Sequence, residues 1–166
     1  MNAVWPFRDG PFPSLGDSEV HVWKCRLTAD AAELAARLAT LSHDEQNRAR
    51  QFKMDRPRDQ FVIARSTLRA LLGRYLAVTP ETIAFELNEH GKPRLKIPSA
   101  TLEFNVSHSH DLALFAFSRS TPVGVDVEWL GRQLAHADIA KRFFSEREQA
   151  QLNEIPAADR HRAFLE

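Results

Sequence analysis

Apolar and polar residues alternate along residues 20–27, with Val20, Val22 and Lys24 on one side and His21, Trp23, Cys25 and Leu27 on the other. That period of two predicts a strand. Thr28 then leads into Ala29-Asp30-Ala31-Ala32-Glu33-Leu34-Ala35-Ala36-Arg37-Leu38, where strong helix formers and the four-residue spacing of Leu34 and Leu38 predict a short helix. Ser42 and Glu45 stand at capping-box spacing, so a second helix should begin there and run to about Phe52. Asp55 is placed to cap the longest helix, in which Phe61, Ile63, Ala64, Leu68, Leu71, Leu72 and Tyr75 recur at three-to-four spacing through about Ala77. Thr79-Pro80-Glu81 opens a turn, residues 83–87 alternate as a strand, and Asn88-Glu89-His90-Gly91 breaks it.

From Leu102 the pattern changes to three short strands, 102–107, 112–118 and 123–128, whose short connections favour antiparallel neighbours. Helix returns afterwards, with Ser145 and Glu148 forming another capping box and residues 157–166 a last amphipathic stretch. Glu166 ends the chain in mid-pattern, without a Gly, Asn or Pro stop, and the expectation is a truncated protein. Residues 1–19, with Pro6, Gly10, Pro11, Pro13 and Gly16 and no sustained period, are expected to form an extended arm.

A length of 166 residues suits one core, or one subdomain and part of another. Lys and Arg number 22 and Asp and Glu 22, so the chain lacks the global basic field of a non-specific nucleic-acid binder, and any anion site must be local. With 43% hydrophobic and 27% charged residues the balance is that of a globular protein. Cys25 is the one cysteine, which allows no internal disulfide and no zinc cluster and points to a reducing compartment. The N-terminus has no basic region followed by an apolar one, and no apolar run approaches the ~18 residues of a membrane span, so a cytoplasmic protein without membrane contact is expected. The glycosylation sequon Asn105-Val106-Ser107 falls on an expected strand and is read as accidental.

Asp126-Val127-Glu128 puts two carboxylates side by side on one strand face, opposite Val123, Val125 and Val127. Such a pair calls for a wet face, a shared proton or a cation, and all-oxygen ligands suit a hard divalent metal such as magnesium. A solvated acidic edge is the plainer reading. Ser107 and His108 end another strand; they lack a nucleophile elbow and point to opposite sides, which disfavours a serine hydrolase and leaves hydrogen bonding to phosphate. Lys92, Arg94 and Lys96 make one strand face basic, and Arg48, Arg50, Lys53, Arg56, Arg58, Arg65, Arg69 and Arg74 outnumber nearby acids, Arg65 and Arg69 lying four apart. A charge run is ordinarily a solvated helix face. Beside an acidic pair and a Ser/His strand, however, these cations suit a metal-bridged polyphosphate, and phosphoryl-type chemistry leads.

Four ordered blocks carry a resemblance: the helix from Phe61 to Leu72 with Leu68-Arg69, Gly91-Lys92-Pro93, Phe104-Asn105-Val106-Ser107-His108-Ser109, and Pro122-Val123-Gly124-Val125-Asp126-Val127-Glu128, with Lys141-Arg142-Phe143-Phe144-Ser145 and Glu148 further on. Over residues 20–166 the chain resembles the 4′-phosphopantetheinyl transferases of the monomeric, surfactin-synthetase-activating type. The resemblance implies an α+β fold of two similar halves related by a pseudo-twofold, here an arm (1–19), a first subdomain (20–119) essentially complete, and the beginning of a second (120–166). It implies magnesium-dependent transfer of the phosphopantetheine arm of coenzyme A to a serine of an apo carrier protein, with 3′,5′-ADP as the other product. By position, Asp126 and Glu128 would be metal ligands, and Arg56, Lys92, Ser107 and His108 would contact coenzyme A. The family pattern next shows a Trp-x-x-Lys-Glu block whose glutamate completes the metal site and sometimes acts as base, so the expected base lies beyond Glu166. Weak or absent activity and self-association of the 166-residue chain are therefore expected. The competing readings are a non-catalytic module that binds coenzyme A or a carrier protein, and another magnesium-dependent nucleotide enzyme.

Overall fold

The computed structural model describes residues 12–87, 93–96, 102–129, 131, 136–157 and 159–165. The chain divides into two compact units, one ending at Val127 and the other starting at Glu128. The architecture is mixed α and β in tandem, as the pattern along the chain predicts.

In the first unit β1 (Val20–Arg26) is followed by α1 (Ala31–Ala39), α2 (His43–Arg50) and α3 (Asp55–Leu76). Asp30 caps α1 by accepting from the Glu33 amide at 2.8 Å. The capping box of α2 forms as its spacing predicts: Glu45 N–H donates to Ser42 Oγ and Ser42 N–H to Glu45 Oε2. Met54 stands at the N-cap of α3 without a side-chain bond, so Asp55 is the first helical residue and not its cap. At the other end Ala77 turns left-handed (φ 54°) and Val78 N–H returns to Gly73 O at 3.0 Å. A Cβ on Gly73 would stand 2.8 Å from Val78 O, so the return needs glycine there.

A 3-10 turn (Pro80–Thr82) leads to the hairpin of β2 (Phe85–Leu87) and β3 (Pro93–Leu95). On this hairpin Arg94 donates to Glu86 at 2.7 Å, so the basic face expected of Lys92, Arg94 and Lys96 is neutralised at its centre; Lys92 lies outside the described residues. β4 (Leu102–Ser109) and β5 (Leu112–Arg119) pair antiparallel, and β1 adds to β5, giving the order β1-β5-β4. The sheet packs its Cys25, Phe104, Phe115 and Phe117 face on Ile63, Leu68, Leu71 and Leu72 of α3, every one of them buried. Leu15 of the arm joins this core, and Arg119 donates to its carbonyl at 2.7 Å. Val20 and Val22, on the other face of β1, are exposed.

Residues 123–128 do not form the expected third strand of this series. They are extended, with Val123, Val125 and Val127 partly buried and Asp126 and Glu128 exposed, but their described amide bonds go to side chains. Val125 N–H donates to Asn105 Oδ1 at 3.1 Å and Val127 N–H to Ser107 Oγ at 3.2 Å. A side chain inserted between two backbones replaces the carbonyl that a ladder would use.

The second unit holds α4 (His136–Phe143), α5 (Glu146–Glu154) and α6 (Arg160–Leu165). Ser145 and Glu148 close the expected box on α5, and Arg160 donates to Ile155 O and Asn153 O, tying α6 to the end of α5. Ala140 and Leu152 are buried.

Candidate functional site

A cavity of about 380 Å³ opens in the first unit between α2, α3 and β4. Its apolar lining includes Phe52, Phe61, Leu68 and Val106, and its polar lining is Arg48, Arg65, Gln60 and His108. Helical spacing brings Phe61, Ala64, Arg65 and Leu68 to one stripe of α3, and period two brings Val106 and His108 to one face of β4. The guanidinium of Arg48 lies 5.2 Å from the Phe61 ring centre and that of Arg65 6.0 Å from the same ring, so one aromatic ring supports both cations.

Glu45 organises this charge. Its Oε2 accepts from Arg69 Nε at 2.7 Å and from the Ser42 amide, and its Oε1 stands 3.4 Å from Arg65 Nε. Arg69, 2% exposed, also donates to Pro80 O and Ile83 O, so its charge is fully engaged in joining the helices to the 3-10 turn. Burial pushes the Arg65 guanidinium pKa down; Glu45 opposes that, and Arg48 and Arg69 push the same way as burial. Two arginines, Arg65 and Arg69, thus share one carboxylate, with Arg48 close enough to repel Arg65, and the surplus positive charge is at the cavity, where charge-assisted bonds to an anion are strong.

Arg56 lies elsewhere. In the first turn of α3 it donates to Asp111 Oδ1 at 3.2 Å and meets His110 Nε2 at 3.3 Å, while Gln60 donates to His110 O at 2.6 Å. Together they fasten the β4–β5 turn, where His110 is left-handed (φ 54°). Arg56 is well exposed and is not among the residues lining the cavity. His108 is exposed and lines it. Ser107, on the opposite side of β4, donates its hydroxyl proton to Asp126 Oδ1 at 2.6 Å. The structure therefore places His108 at the cavity and Ser107 at Asp126. Among the described residues no three His, Cys, Asp or Glu side chains gather as a metal cluster. Two exposed carboxylates with oxygen donors still fit magnesium, which takes one or two protein carboxylates and completes its shell with water and phosphate oxygens.

Sequence reasoning held Arg48 and Arg65 only as members of a run of cations, and it gave Asn105 no role of its own. The four-residue spacing of Arg65 and Arg69 was the available signal, since one face of a long helix that carries two arginines among Phe61, Ala64, Leu68 and Leu72 cannot all be solvated.

With this fold, cation-walled cavity and acidic segment in view, comparison with known proteins identifies the class. Residues 26–120 match the family described as 4′-phosphopantetheinyl transferase, N-terminal, and residues 122–166 match the 4′-phosphopantetheinyl transferase superfamily. The chain belongs to the 4′-phosphopantetheinyl transferase superfamily. It is 36% identical over 157 residues to the 4′-phosphopantetheinyl transferase HetI of Nostoc sp. strain PCC 7120, covering 93% of this chain and 66% of that protein. It is 29% identical over 116 residues to the 4′-phosphopantetheinyl transferase Sfp of Bacillus subtilis strain 168, covering 69% of this chain and 50% of that one. The chain thus spans between half and two thirds of the length of these relatives. Among the described residues no helix is long and apolar enough to cross a membrane.

Proposed function

We propose that this chain takes part in magnesium-dependent transfer of the 4′-phosphopantetheine arm of coenzyme A to a serine of an apo acyl or peptidyl carrier protein, as a cytoplasmic enzyme of the surfactin-synthetase-activating type. The observation that carries the reading is β4 itself: His108 stands on its cavity side with Arg48 and Arg65 across from it, and Ser107 on its other side meets Asp126. A nucleotide with several phosphates needs an apolar pocket with a few convergent cations, and a separate place for a metal-bound pyrophosphate.

In this reading Arg48, Arg65 and His108 hold phosphate at the cavity, and Arg56 and Lys92 are further contacts to coenzyme A. Ser107 acts on the side of Asp126, which with Glu128 would hold magnesium. When bound, the cation would offset charge on the pyrophosphate as 3′,5′-ADP departs. The arginines supply fixed positive charge to the phosphate held at the cavity. No described residue is assigned as the base. Self-association of the chain would use the exposed Val20 and Val22 of β1, and sedimentation velocity at two concentrations tests it.

Calorimetric titration of coenzyme A into the 166-residue chain tests the reading. Binding strengthened by magnesium, weakened in Arg65→Ala and made magnesium-independent in Asp126→Ala is expected. Affinity unmoved by both substitutions would overturn it. Binding without modification of an apo carrier protein would favour the non-catalytic module instead.

A further inference from the structure

Along β4 the side chains of Asn105 and Ser107 share one face, and on segment 123–127 the amides of Val125 and Val127 share one edge. Each bond joins residues 20 apart in sequence, so the two stretches run parallel in a fixed register. Between these anchors sits Asp126, whose Oδ1 takes the Ser107 hydroxyl proton. Ser107 therefore both accepts and donates at this contact: its oxygen accepts from the Val127 amide and its hydrogen goes to the carboxylate.

We infer that Asn105 and Ser107 are positioning residues that hold the backbone on both sides of Asp126 and set its carboxylate, so that Oδ2 is the oxygen presented to a divalent cation. This rests on the reading of Asp126 as a metal ligand. A ligand carboxylate on an exposed extended segment has several rotamers and a mobile backbone, and each would have to be ordered when the cation binds. Two side-chain bonds to the neighbouring amides and one to Oδ1 remove that freedom beforehand, as outer partners of metal ligands generally do. Asn105 acts on the backbone alone, whereas Ser107 acts on backbone and carboxylate together, so the two should not be equivalent.

The experiment uses the 166-residue chain, with Mn²⁺ alone as the probe, followed by water-proton relaxation, and amide exchange read by NMR. Ser107→Ala should speed exchange at Val127 and leave Val125 protected, and Asn105→Ala should do the reverse. Ser107→Ala should weaken Mn²⁺ by about tenfold or more, the usual loss on removing an outer partner of a metal ligand. Asn105→Ala should cost less, and Ser107→Thr, which keeps the hydroxyl, should restore affinity. Unchanged exchange at Val125 and Val127 would overturn the clamp. Changed exchange with unchanged Mn²⁺ affinity, while Asp126→Ala abolishes binding, would overturn the positioning role and leave the metal reading intact. Mn²⁺ binding unaffected by Asp126→Ala, or absent from the unsubstituted chain, would overturn the metal reading and the inference with it.

Discussion

Two side chains in this protein separate the roles of core and cavity cleanly. Tyr75 accepts from Trp23 Nε1 at 2.8 Å and lies 2.7 Å from His21 Nδ1, with the Phe12 ring edge-on to it. Burial raises its pKa above the ordinary value near 10, against a smaller lowering by the Trp23 bond. A raised folded-state pKa gives stability that is complete below the unfolded value and lost as pH climbs through the folded one. Tyr75→Phe is expected to cost about 1 kcal/mol at neutral pH, the scale of one hydrogen bond, because the part-buried indole N–H loses this acceptor, and to remove part of the alkaline loss. Urea unfolding from pH 7 to 11 measures both. Arg65→Ala should act the other way round. Arg69 still holds Glu45, so stability changes little, while coenzyme A affinity falls about tenfold, the scale of one charge-assisted bond; calorimetry beside a thermal melt checks the split.

The helices show which elements carry their own instructions. Both capping boxes, at Ser42 with Glu45 and at Ser145 with Glu148, were legible because each is complete within four consecutive residues. Ser42→Ala should destabilise the first unit by about 1 kcal/mol, seen as a shifted urea midpoint with unchanged slope. On α5, hydrogen bonds from Ser145 hold the Glu148 carboxyl below its ordinary pKa. Its contribution is therefore present above the usual carboxylate range and lost as pH falls through the lowered value. Amide protection in α5 should decline on acidification, and in Glu148→Gln it should start lower and stay flat. Residues 123–128 show the opposite case. Alternation reported correctly that the valines turn inward and the acids outward, but it is blind to whether an amide meets a carbonyl or the side chain of Asn105. Likewise the run of arginines gave charge but not orientation: Arg69 is buried and Arg56 is exposed, although both lie on α3. Which of them faces a cavity depends on α2 and β4, whose positions no local pattern contains.

At the scale of the molecule, the main hydrophobic cluster among the described residues runs from Leu15 to Phe117, within the unit that ends at Val127. A chain ended at Val127 should therefore fold cooperatively by itself, with a urea transition close to that of the 166-residue protein. Far-UV dichroism and tryptophan fluorescence would show it, and a non-cooperative melt would mean that residues after Val127 are part of the folding unit. The cavity with Arg48, Arg65 and His108 lies wholly within that shorter chain.

Glu45 closes the N-terminus of α2, neutralises buried Arg69 and steadies Arg65 at the cavity, all with one carboxylate. A mutational scan scored by activity would rank it with the ligand contacts, and one scored by cellular abundance would rank it with the core. Neither survey alone would recover its part in the other. At such a junction, drift in sequence is constrained twice over: a replacement must keep both the helix closed and the two arginines neutralised, so compensating changes have to arrive in pairs.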